Sequence, residues 1–114
     1  MARLGVLKGT LDVLVLKMLT WGPMHGFEML TRLEAESDDI LDLEDAALYQ
    51  ALRRMEERGF VDAELGVTEN NRKARYYSIT PRGRAQLRAE TANWNRYATM
   101  VSDILARTTP RSAG

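Results

Sequence analysis

From Thr80-Pro81 onward the chain carries one unbroken helical pattern, and its length constrains everything that precedes it. Thr80 supplies a capping hydroxyl, and Pro81 takes the first helical position, where a missing N–H does no harm. Apolar or near-apolar residues recur at Leu87, Thr91, Trp94, Ala98, Val101 and Leu105 in alternating steps of four and three, with Tyr97 and Ile104 broadening the line. That is a heptad-type seam. Extended to Arg107 the helix would span about 40 Å, and helices persist in water mainly by packing an apolar face. A chain of 114 residues builds one domain, whose core is too small to cover such a rod. A second copy of the chain is the nearest source of cover. This predicts a two-fold dimer with Leu87, Trp94, Ala98, Val101 and Leu105 in the interface and the first helix in support. The other reading is an ordinary core helix of a monomer. Residues 108–114 read as a disordered tail.

Composition removes much chemistry. With 45% apolar and 28% charged residues the chain is expected to fold in water. Its longest apolar stretch, Leu11 to Leu19, is broken by Asp12 and Lys17. It is therefore neither a secretion signal nor a membrane span, and a cytoplasmic location is expected. The absence of cysteine excludes disulfides and thiolate sites, and a single histidine, His25, excludes any site needing two imidazoles. No nucleophile elbow, phosphate loop or metal-ligand spacing occurs, so no catalytic residue, metal or cofactor is expected.

Ahead of the long helix lie three shorter helical patterns and a hairpin. Leu4, Leu7, Leu11, Leu14 and Met18, widened by Val15 and Leu19, predict one amphipathic helix that Trp21-Gly22-Pro23 stops. A shorter helix follows on Phe27, Leu30 and Leu33, with Met29 beside them, before the acidic break at Glu36 to Asp39. Asp42 is the expected cap of a third helix, which Gly59 ends and whose buried line is Leu48, Leu52 and Met55 with Ala47 and Ala51. Val61, Ala63 and Leu65, then Tyr77 and Ile79, alternate with polar or aromatic neighbours as two strands do, and Asn70-Asn71 turns the chain between them.

The outward face of the third helix presents Ala46, Tyr49, Gln50 and Arg53. Tyrosine, carboxamide and guanidinium on consecutive turns are the inventory that reads base edges in a major groove. A snorkelling Arg53 beside a half-buried Tyr49 is the plainer alternative. Net charge is zero but polarised: residues 1–57 hold six Lys/Arg against eleven Asp/Glu, and residues 58–114 hold ten against five. Arg72, Lys73 and Arg75 cluster at the hairpin, as a polyanion contact or as a solvated basic face.

Helix, helix, helix, hairpin, long helix is a mainly α (α+β) order, that of a winged helix-turn-helix over residues 1–80 with a dimerisation helix over 81–107. Four blocks carry a resemblance: Leu16-Lys17-Met18-Leu19; Gly22-Pro23-Met24-His25-Gly26-Phe27; Leu48-Tyr49 with Leu52-Arg53-Arg54-Met55-Glu56 and Gly59-Phe60-Val61; and Arg72 through Gly83. In that order, between residues 4 and about 106, they resemble the PadR family of transcriptional regulators, short subfamily. The resemblance implies a homodimeric DNA-binding repressor on an inverted-repeat operator, often released by a small aromatic molecule. It further implies a recognition helix facing DNA through Ala46, Tyr49, Gln50 and Arg53, and a wing setting Arg72, Lys73 and Arg75 on the duplex. His25 then stands near the DNA backbone, or else merely caps its own helix. Trp94 near the two-fold axis resembles the paired tryptophans of drug-binding members, with Leu11 and Val15 as neighbouring walls; alternatively it only fills the interface. Two departures bear on DNA affinity. Ala47 stands where the family commonly has a hydroxyl, and Asp42, Glu44 and Asp45 put acid at the amino end of the recognition helix. They keep a winged-helix protein–protein adaptor in play.

Overall fold

The computed structural model describes residues 2–7 and 9–112. In chain order it contains β1 (Leu4–Gly5), α1 (Leu11–Leu19), β2 (Met24–His25), α2 (Gly26–Glu36), β3 (Leu41–Asp42), α3 (Asp45–Glu57), β4 (Val61–Val67), β5 (Lys73–Ile79) and α4 (Pro81–Ala106). The core gathers one apolar line from each of the first three helices: Val15, Leu16 and Leu19; Met29 and Leu33; Leu48, Leu52 and Met55. Val61 and Tyr77 close it from the hairpin. Burying such side chains contributes about 1.5–3 kcal/mol each.

The first helix begins at Leu11, not Leu4. Leu4 and Leu7 are exposed, and the Leu4 N–H donates 2.6 Å to the Ile40 carbonyl as β1 pairs in parallel with β3. The helical spacing of residues 4 to 11 is therefore not a buried face. In α2 the inward residues are Met29, Leu30 and Leu33, whereas Phe27 is 70% exposed. It precedes Met29 by two residues, about 200° of rotation, which turns it away from the core. Asp42 does not cap α3. It lies in β3, 3.9 Å from Arg3, and the backbone enters the helix at Glu44 without a side-chain cap bond.

Gly59 does end α3. At φ +77° it lets its own N–H reach the Glu56 carbonyl and that of Phe60 reach Met55, 3.0 and 2.9 Å, the paired closure that favours glycine. The hairpin pairs Val61 with Ile79, Ala63 with Tyr77 and Leu65 with Arg75. A third strand unforeseen from sequence, β2, lies on the other side of β5, Met24 opposite Tyr77 and His25 opposite Tyr76.

Thr80 caps α4 as expected: its hydroxyl accepts from the Gly83 N–H at 3.0 Å and donates to the Gly59 carbonyl at 2.6 Å. Gly83 is buried against the Phe60 carbonyl with no room for a Cβ. Leu87 packs on the core. Glu90, half-buried one turn further on, accepts from Gln86 at 2.9 Å; from Thr91 the helix is mostly exposed to Ala106, and α4 measures 26 residues or about 39 Å in all. Trp94 is 40% exposed, Leu105 79%, and Tyr97, Met100 and Ile104 are exposed between them. Residues 107–112 form no helix or strand, and the last two residues of the expected tail lie outside the described residues. Among the described residues no helix is long and apolar enough to cross a membrane.

Candidate nucleic-acid interface

The two faces of α3 divide as the sequence predicts. Leu48, Ala51, Leu52 and Met55 are buried, and Ala46, Tyr49, Gln50 and Arg53 are exposed; Ala47, expected in the buried line, is only half-buried at the first turn. Arg54, beside this stripe, is pinned to Asp12 of α1 at 2.9 Å, tying the helix to the body. Arg53 makes no ion pair with any described residue. Tyr49 is 47% exposed, and its ring lies over Gly26, where a Cβ would come within 2.5 Å of its Cε1. The missing side chain at the start of α2 is thus the seat that orients Tyr49 outward.

The hairpin turn is fixed by Asn71 at φ +59° and by Thr68, whose N–H donates to the Arg72 carbonyl at 2.8 Å and whose hydroxyl accepts from the Arg72 N–H at 3.2 Å. Arg72 and Lys73 stand exposed there. Arg75 is exposed as well but is paired. Its Nη2 donates to both Glu56 carboxylate oxygens of α3, at 3.0 and 2.9 Å, and its guanidinium lies 6.0 Å from the Tyr77 ring centroid. Tyr77, then the Glu56 carboxylate, hold the guanidinium above its already high ordinary range. The three wing cations are therefore not equivalent.

Between wing and helices runs an open groove of about 900 Å³, walled by Pro23, His25, Phe27 and Tyr49 on one side and by residues 68–77 on the other. His25 lines it while capping α2. Its Nδ1 accepts the Glu28 N–H at 3.3 Å, its Nε2 lies 3.1 Å from Glu28 Oε1, and its ring meets Tyr76 edge-on at 5.3 Å. His25 thus caps its own helix, and its ring also faces the groove.

Three participants were not read from the sequence. Phe27 was assigned to the core, yet stands in the groove beside Tyr49. Tyr76 lies over Gly66 and donates its hydroxyl to the Val67 carbonyl at 3.3 Å, stiffening the wing. Glu56 partners Arg75. The readable signal was the small Gly66 diagonal to Tyr76; nothing local marked Glu56. Asp42, Glu44 and Asp45 are exposed at the amino end of α3.

The slot expected around Trp94 needs two copies of the chain, and its expected walls lie at different depths. Val15 is fully buried in the core and cannot wall a ligand slot, and Leu11 packs partly against that core. The concavity along α4, about 960 Å³, lies on the flank of Tyr97, Met100, Ile104 and Arg107, without Trp94. Among the described residues no three His, Cys, Asp or Glu side chains converge as metal ligands.

Residues 15–89 match the model of the transcriptional regulator PadR-like family. The chain belongs to that family. PadR proteins are DNA-binding transcriptional regulators and not enzymes. A PadR family transcriptional regulator from Eggerthella lenta DSM 2243 shares 28% identity over 89% of this chain and 86% of its own, with TM-score 0.76. A PadR-like transcriptional regulator from Bacillus cereus strain ATCC 14579 shares 25%, covering 88% and 95%, with TM-score 0.74. A transcriptional regulator from Clostridium thermocellum, at 24% identity, covers 84% and 90% with TM-score 0.77 and shows the same fold. The winged helix with a long C-terminal helix is thus the PadR architecture.

Proposed function

We propose that the protein is a homodimeric repressor that grips an inverted-repeat operator, one α3 in each of two successive major grooves about 34 Å apart. Residues 1–80 form the DNA-binding unit, and residues 81–107 hold the two units at that separation. The reading is carried by the α3 face: a helix buried along one side offers Ala46, Tyr49, Gln50 and Arg53 on the other, next to exposed Arg72 and Lys73. Phosphate contacts position such a protein and base contacts specify its site. Arg72 and Lys73 serve the first role, Tyr49, Gln50 and Arg53 the second, and Ala46 allows close approach.

Selection of bound fragments from the host genome yields the operator, and mobility shifts test the roles. Tyr49→Ala and Arg53→Ala should each cost about 1–3 kcal/mol on the operator and little on random duplex, whereas Lys73→Ala weakens both alike and lowers the salt slope by about 1. Equal losses on both duplexes in all three variants refute this division of labour.

Repression by occupancy requires no chemistry from the chain, and an effector acts by altering the spacing of the two α3 helices. Half-exposed Trp94, facing its mate across the two-fold axis with Leu11 nearby, is where a planar aromatic molecule would enter. The acidic amino end of α3 favours one other reading, a protein-binding adaptor, which would show neither heparin retention nor a mobility shift.

A further inference from the structure

Arg75 and Glu56 have no place in the contact scheme just given, and their geometry suggests a different one. Beyond His25, opposite Tyr76, β2 ends, so the outer part of the hairpin is a two-stranded ribbon with Leu65 and Val67 exposed. Two strands alone are marginal in water. Arg75 lies just past the point where β2 stops supporting β5, and its Nη2 spans to both oxygens of Glu56. Glu56 follows Tyr49 by seven residues, two helical turns, and so continues the outward stripe of α3 at its carboxyl end. Left unpaired, an acid there would face the same duplex as Tyr49 and Arg53.

The structure assigns Glu56 and Arg75 to a strut that fixes the angle between the wing and α3, making both positioning residues for operator discrimination and neither a DNA contact. This rests on the DNA-binding reading above. The strut also neutralises the acid at the end of the stripe and leaves Arg72 and Lys73 as the wing cations available to phosphate.

The two roles for Arg75 differ in sign at its partner. If Arg75 held phosphate and Glu56 merely stood by, Glu56→Gln would free a cation and tighten binding to every duplex, with the operator-to-random ratio unchanged. As a strut, Glu56→Gln loosens the ribbon: random duplex binds as well or better, and the ratio falls. An exposed ion pair contributes at most about 1 kcal/mol, so the expected fall is about two- to fivefold.

The experiment compares wild type, Glu56→Gln, Arg75→Gln and the double variant. Amide hydrogen exchange is followed without DNA, and affinity is measured for the selected operator and for a random duplex. Expected are faster exchange between residues 65 and 73 in either single variant, unchanged exchange at residues 48–55, a reduced ratio in both, and a double variant no worse than the worse single one. Unaltered wing exchange, or an Arg75→Gln variant that loses both affinities alike with a lower salt slope, overturns the strut. Wild-type protein that binds no duplex would instead overturn the DNA reading, and exchange without DNA would still decide whether the strut exists.

Discussion

The winged body and α4 treat apolar surface in opposite ways. In the body, Leu16, Met29, Leu48, Leu52 and Met55 are sealed from water by one another, each of three helices offering its line to a common centre. In α4 only Gly83 is buried and only Leu87 joins the core, while Trp94, Tyr97, Met100, Ile104 and Leu105 remain in water over the outer turns. The body buries an apolar line from each of three helices within one chain, whereas the outer half of α4 buries none. If the proposed dimer forms through α4, the fold separates two tasks, holding α3 in shape and setting where that shape stands relative to a second copy.

The sharpest way to break this separation is at the joint. Gly83→Ala drives a methyl into the Phe60 carbonyl, backbone that cannot yield as a side chain can. It should destabilise the protein by about 3 kcal/mol or more in denaturant unfolding, because overpacking here dislodges α4 from the body. A loss under 1 kcal/mol would mean that the joint is loose and the two regions less coupled than described. Next, charging the outer helix with Val101→Asp and Leu105→Asp should leave the body's unfolding midpoint nearly unchanged while sedimentation shifts from dimer to monomer. A lowered midpoint with no change in mass would place that face against its own body. The smallest effect is expected inside the body: Gly26→Ala pushes the Tyr49 ring from its seat and should reduce operator preference about tenfold, or 1.4 kcal/mol, with less than 1 kcal/mol lost in stability. The ring end is mobile enough to move aside, so binding rather than folding registers the change.

What the sequence made legible follows the range of the forces involved. The Thr80-Pro81 start of α4, the closure at Gly59, the turn at Asn71 and the two faces of α3 depend on residues within a few positions of one another, and all stand as read. The misses depend on partners far along the chain. Strand β2 is two residues long and exists because β5, some fifty positions later, pairs with it. Leu4 keeps helical spacing with Leu7 and Leu11 but is drawn off by the Ile40 carbonyl. Asp42 has the chemistry of a helix cap and lies instead in a strand beside Arg3. The same holds for the site. The α3 stripe was visible from periodicity, whereas the pairing of Arg75 with Glu56 joins two elements nineteen positions apart, with no local signal. Val15 could be assigned to a ligand wall only while the depth of α1 in the core was unknown.

The exposed acids at the amino end of α3 and the exposed cations at the hairpin turn put opposite charges at two places on the body. A polyanion drifting in from bulk solvent meets attraction at one and repulsion at the other, and the pair of forces turns it before any atom touches. Under the proposed function, a duplex would meet the wing first and the helix only after being swung into line. Added salt should blunt this alignment along with the pull itself.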